Sequence, residues 1–225
     1  MSRSAAARRV APWVAALAVL ASACDTPTIP QRNDTYGFAL PVDGGLVFHW
    51  GAGASVRVFV ADAPGREGAL TTAFDAAANI WEANAPFAEF SVSRASSAGA
   101  ADVVLTWIDG PFAVQTAECL PSGASLGTTT FCLTAGNDAI VPYPIQGGGS
   151  SGVLFLVTIS GSVATDASLL RRLVTHEIGH ALGLFQHSPD AADLMFGGEL
   201  TADEPTDADR ATIFTLYHSS RDLLP

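Results

Sequence analysis

The chain contains no lysine. All eleven of its basic residues are arginine, set against twenty-two acidic ones, for a net charge of −11 over 225 residues. That balance leaves no basic patch to neutralise a phosphate backbone, so nucleic acid is not an expected partner. Cysteine is scarce as well, with three in the chain, too few for a fold built on a dense disulfide framework. The apolar run at residues 10–20 stops well short of the roughly 20 residues a spanning helix needs. Nor does any stretch carry the acidic spacing of an EF-hand loop. What is present is ample core material: 48% of the residues are apolar, enough for one domain of ordinary size.

The first 24 residues read as an export signal. Arg3, Arg8 and Arg9 give a positive start, and residues 10–20 give the short apolar segment. Its end, Leu20-Ala21-Ser22-Ala23-Cys24, leaves two outcomes open. Ala21 and Ala23 suit ordinary signal peptidase, which would release a soluble protein. The same residues resemble a bacterial lipobox, in which Cys24 becomes a lipidated N-terminus. Cysteine arithmetic bears on the choice: assigning Cys24 to a lipid leaves Cys119 and Cys132 as a pair able to bridge a short loop in an oxidising compartment. Otherwise Cys24 is an unpaired thiol. Residues 25–36, polar and rich in Pro and Thr, read as a link, and residues 37–225 as the domain.

Along the domain, residues 46–50 and 56–60 read as strands bounded by Gly-rich turns. Leu70, Phe74, Ala77 and Trp81 recur at helical spacing within residues 69–84, and Pro86 follows. Residues 90–92 and 102–107 read as further strands. A strand–helix–strand order of this kind favours a right-handed crossover and a partly parallel sheet. Residues 109–152 read as loop-rich, with 126–131 the one strand-like piece. The β-branched run 153–159 is a strand. Thr165 or Asp166 caps the next helix, and Thr206 with Asp209 opens the last one as a capping box.

The helix after residue 166 carries the chemistry. His176 and His180 stand four apart, so they share one helix face, one turn apart, an arrangement that suits a single Zn²⁺. Glu177 sits beside that pair, where a carboxylate can take a proton from water. Gly183 can adopt a left-handed conformation and end the helix. His187 lies just past that turn, and Met195 follows eight residues later. Leu170, Val174, Ile178 and Ala181 form a second stripe that faces a core. His49 reads as a packed strand residue and His218 as a surface one, since neither belongs to a ligand spacing.

The run HEIGHALGL, with His187 and Met195 after it, resembles the metzincin zinc peptidases, which carry HExxHxxGxxH and a Met-turn. Its wording is most similar to the matrixin branch. The sequence departs from the pattern at one point. The family steps three residues from the helix-ending Gly to the third His, whereas Gly183 to His187 is a step of four. The spacing from His187 to Met195 matches, so the departure reads as one inserted residue. Gln186, at the nominal position, is a poor zinc ligand by type.

The resemblance implies an α+β domain: a twisted mixed sheet, an active-site helix, a helix in the N-terminal half and a C-terminal helix. It implies one catalytic Zn²⁺ on His176, His180 and His187, with Glu177 as general base, Gly183 in the helix-ending turn and Met195 as the base of the site. Peptide or protein would be the substrate, lying along the sheet edge of residues 126–131 or 153–159. Ca²⁺ is a further cofactor the family often carries; Asp109, Asn137 and Asp138 could touch it, or else serve as solvated turn residues. No His lies between His49 and His176, so a His-based structural zinc there is excluded, and a Cys119–Cys132 bridge is expected to hold that region instead. The expected protein is thus an exported, monomeric zinc endopeptidase, secreted or membrane-anchored only through a lipid on Cys24. The alternative is a surface-tethered zinc-binding or interaction domain without proteolysis.

Overall fold

A computed structural model describes residues 35–40, 45–110, 119–122, 126–134, 136, 139–142 and 152–225. The export-signal reading with Cys24, most of the link, and Asn137 and Asp138 lie outside these residues. The described chain is α+β, with a mixed sheet and three helices, and is compatible with a metzincin-like fold. Strands β1 (Ala54–Ala61), β2 (Phe90–Arg94), β3 (Val103–Ile108), β4 (Cys119–Ser122), β5 (Gly127–Leu133), β6 (Ile140–Val141) and β7 (Phe155–Ser160) form one sheet in the order β2-β1-β3-β7-β5-β4, with β6 also on β5. The pairs among β2, β1, β3 and β7 are parallel, whereas β5 runs antiparallel to β7, β4 and β6.

The register explains the core. Val103, Leu105 and Trp107 lie opposite Phe155, Val157 and Ile159, and all six are buried while their alternating neighbours are only half-buried. Across these two strands one sheet face is therefore apolar. Helix α1 (Ala69–Ala83) buries Leu70, Phe74, Ala77 and Trp81 and packs beside α2 (Ala167–Ala181). Helix α3 (Asp207–Tyr217) meets the end of α2, where Tyr217 Oη bonds Leu182 O, and buries Ile213, Leu216 and Tyr217. Its capping box has the expected form, with Thr206 and Asp209 bonding each other reciprocally.

Two stretches differ from the sequence reading. Residues 46–50 are not a strand; Phe48 makes a single isolated bridge to Leu223. Their apolar pattern reflects burial without a ladder: Phe48 is fully buried, and Val47 O accepts from Asp222 N and Leu223 N of the terminal segment. Residues 109–152 hold more structure than expected. Within them β4, β5 and β6 form antiparallel pairs, and a disulfide joins Cys119 to Cys132, directly across β4 and β5. Asp109, one of the expected Ca²⁺ candidates, instead pairs with Arg66 at 2.6 Å.

The disulfide closes a loop of 13 residues, and constraining a loop of that size in the unfolded chain is worth about 3 kcal/mol. Replacing both cysteines by serine should lower the unfolding free energy by that amount, with a matching fall in the urea midpoint. An unchanged midpoint, or two titratable thiols in the unreduced protein, would contradict the bridge.

Candidate metal centre

Helix α2 begins where Asp166 Oδ1 accepts from Ser168 N at 3.1 Å and Leu169 N at 2.9 Å. It ends in the core, where unpaired carbonyls would be costly, and side chains from distant elements satisfy them. Trp50 Nε1 donates to Ala181 O at 2.8 Å, and Tyr217 Oη donates to Leu182 O at 3.1 Å. Gly183 then turns the chain at φ +113°, and a Cβ there would collide with Phe48 O. Both facts require glycine at this position.

The turn brings His187 back to the helix. Its Nε2 lies 3.3 Å from His180 Nε2, which in turn lies 3.1 Å from His176 Nε2. Each residue's ligand atom is within 4.8 Å of the others. His176 and His180 are buried and His187 partly so. The step of four from Gly183 therefore still delivers the third imidazole.

The tautomers follow from the partners. His176 Nδ1 is 2.8 Å from Leu194 O, and His180 Nδ1 is 2.5 Å from Leu184 O. A carbonyl oxygen can only accept, so each Nδ1 carries the proton and each Nε2 presents a lone pair. Protonating Nε2 is opposed by burial, which pushes His176 down to about 4 and His180 well below the ordinary imidazole value. Two unprotonated nitrogens at 3.1 Å repel unless a cation lies between them. The donor set is neutral imidazole fixed by carbonyls behind it, the usual support for a bound metal. These residues fit a zinc-type ion.

Glu177 opens onto the same cavity as His176 and His187, a space of about 490 Å³. Leu126, Leu169, Leu173, Phe196 and Leu200 give it apolar walls. Burial raises the Glu177 carboxyl to about 8, opposed by a hydrogen bond from Thr129. Thr129 Oγ1 stands 2.7 Å from Glu177 Oε2 and 2.9 Å from its backbone oxygen. Gly127 makes room for the same carboxylate, since a Cβ there would stand 2.7 Å from Oε1.

Met195 is buried beneath the helix. It reaches the ligands' underside because Gly179 has no side chain: a Cβ would lie 2.6 Å from Met195 Sδ and 2.7 Å from Trp81 Cζ2. In most helices Gly→Ala stabilises by about 1 kcal/mol. Here overpacking costs about 1–3 kcal/mol, so Gly179→Ala should lower the urea midpoint. A raised midpoint would show that Met195 yields easily.

The segment around Met195 hangs on one buried carboxylate. Asp209 accepts from Leu194 N at 2.9 Å, Met195 N at 3.3 Å, Thr206 N at 2.9 Å and Tyr36 Oη at 2.8 Å. Sequence reasoning identified Asp209 only as half of a capping box. Thr129, Gly127, Gly179 and Gln186 also escaped it as contributors to the site. A helix-interior glycine between two ligand histidines was the one available signal, since such a residue weakens the helix unless something must come close.

Of the expected substrate edges, β7 is covered on both sides, by β3 and β5. The outer edge of β5 carries β4 over residues 129–132. His49 is buried away from the cluster, with Nδ1 accepting from Gly51 N and Nε2 donating to Ser219 O. His218 is exposed and stacks on Phe214. The structure thus brings His176, His180, His187, Glu177, Gly183 and Met195 together and leaves the other two histidines out. Protein-family models and curated proteins were both compared with the chain, and none matches it.

Proposed function

We propose that the protein is an exported zinc endopeptidase of the metzincin type, closest in wording to the matrixins, acting on extracytoplasmic peptides or proteins. The observation that carries this reading is the convergence of three imidazoles, two of them with Nε2 lone pairs face to face at 3.1 Å, beside a buried carboxylate in one cavity. His176, His180 and His187 would hold the ion. Zinc, when bound, supplies Lewis acidity that polarises a peptide carbonyl and acidifies water.

The chain's own residues do the rest. Glu177 takes the proton from the attacking water and returns it to the leaving amine. Thr129 fixes the carboxylate for those steps. The cavity, walled by leucines and Phe196 and rimmed by Asp166, Arg172 and Glu199, receives a substrate side chain. Residues 1–24 direct export, through a lipid on Cys24 or by release.

A second reading, a tethered zinc-binding domain without proteolysis, draws on one observation. The β5 edge that an added substrate strand would use carries β4 over residues 129–132. One experiment separates the two: zinc content together with peptide-library cleavage, with and without chelator. Stoichiometric zinc with chelator-sensitive cleavage supports the peptidase; zinc without cleavage of any peptide supports the binding domain. Absence of zinc binding would defeat both.

A further inference from the structure

The turn after α2 carries one more residue than the pattern it resembles, and every residue of the turn has a separate engagement. Leu184 O accepts from His180 Nδ1. Phe185 N donates to Phe38 O at 3.1 Å, and its ring packs 4.7 Å from that of Phe131. Gln186 Nε2 donates to Ala39 O at 2.7 Å. Its Oε1 presses on Gly37 so closely that a Cβ there would stand 2.5 Å away. His187 faces the opposite way, toward His180. On its other side Ser188 N donates to Met195 O at 2.8 Å.

We propose that Gln186 is a positioning residue for the third ligand. By bonding the main chain of residues 37–39, it absorbs the extra residue of the turn and aims His187 at the cluster. A carboxamide suits the task. It is long enough to reach Ala39, it supplies the donor that a carbonyl requires, and it brings no charge into a partly buried place. The strap it grips is itself anchored, since Tyr36 Oη donates to Asp209, the same carboxylate that holds Leu194 and Met195. The Gln186 side chain is engaged by Ala39 and Gly37 and not by the ligand nitrogens; it acts through His187.

The proposal rests on the metal-centre reading, and zinc affinity of the full chain, measured by competition with a chromophoric chelator, tests the two separately. Gln186→Ala should bind zinc roughly 10- to 100-fold more weakly, the range for losing a residue that orients a ligand. Gln186→Met, which keeps the bulk and loses the donor, should fall in the same direction and guards against a folding failure. The double variant Gln186→Ala/His187→Ala should bind no more weakly than His187→Ala alone, because a residue acting through the third ligand has no effect once it is gone. The exchange variant Gln186→His/His187→Gln, which restores the step of three, should bind like His187→Ala. Wild-type affinity in both single Gln186 variants, additive losses in the double variant, or wild-type affinity in the exchange variant would each overturn the proposal. A wild-type chain that binds no zinc would remove the metal centre itself.

Discussion

Glu177→Gln should retain a full complement of zinc and lose at least about 10²–10⁴-fold in the rate of peptide hydrolysis, the usual contribution of a positioned general base. The substitution is nearly isosteric. Thr129 can still donate to the amide oxygen as it does to the carboxylate at 2.7 Å, and the room left by Gly127 is unchanged. What disappears is the ability to take a proton. Stability should move the other way. The Glu177 carboxyl is raised from 4.5 to about 8 in the metal-free fold, so between those values the folded protein keeps a proton that the unfolded chain has released. Such a group stabilises the fold fully only below the unfolded value, and its contribution is lost as pH rises toward the folded one. The metal-free Gln variant should therefore gain on wild type by about 1.4 kcal/mol per pH unit across that window. Urea unfolding of both proteins at several pH values reads the difference directly, with the buried histidines common to each. A variant that hydrolyses peptides at the wild-type rate would remove Glu177 from the chemistry.

The second large effect is on the metal. His187→Ala should weaken zinc binding more than 100-fold, beyond the range seen for residues that only orient a ligand. Because zinc binds the folded chain, a hundredfold loss of affinity removes about 2.7 kcal/mol of ligand-linked stability at saturation. The gap between metal-loaded and metal-free melting temperatures should shrink accordingly. His218→Ala, on an exposed residue stacked on Phe214, should leave both affinity and gap unchanged. Equal affinity for wild type and His187→Ala would mean that the longer turn has taken the third imidazole out of the coordination sphere.

Much of α2 could be read directly from the chain because its signals are local. The stripe of Leu170, Val174, Ile178 and Ala181 is buried as its periodicity requires, and the caps at Asp166 and Thr206 are short-range hydrogen bonds between near neighbours. The pairing of Cys119 with Cys132 was expected once Cys24 was set aside for a lipid. What the sequence concealed is non-local. Strand β4 is four residues long and contains a proline, so neither length nor propensity announces it; its pairing with β5 across the Cys119–Cys132 register does. Residues 46–50 have a strand's composition because they are buried, and composition does not distinguish a ladder from a buried loop. The second role of Asp209 depends on Leu194 and Met195 arriving beside it, a meeting that spacing along the chain cannot express. The position of His187 fell between these cases: its chemistry was plain, and its delivery depended on a turn whose extra residue is engaged by the distant residues 37–39.

The dependence of the Met195 segment on Asp209 also orders events in time. The ribosome makes the three imidazoles by residue 187, but the carboxylate that fixes Leu194 and Met195 lies 22 residues later, and the Tyr217 hydroxyl that caps the end of α2 is later still. A nascent chain that has grown past its ligands still lacks the frame that holds them. If the docked closing helix is what makes the centre rigid, chains cut short before residue 209 should carry every ligand and bind metal poorly.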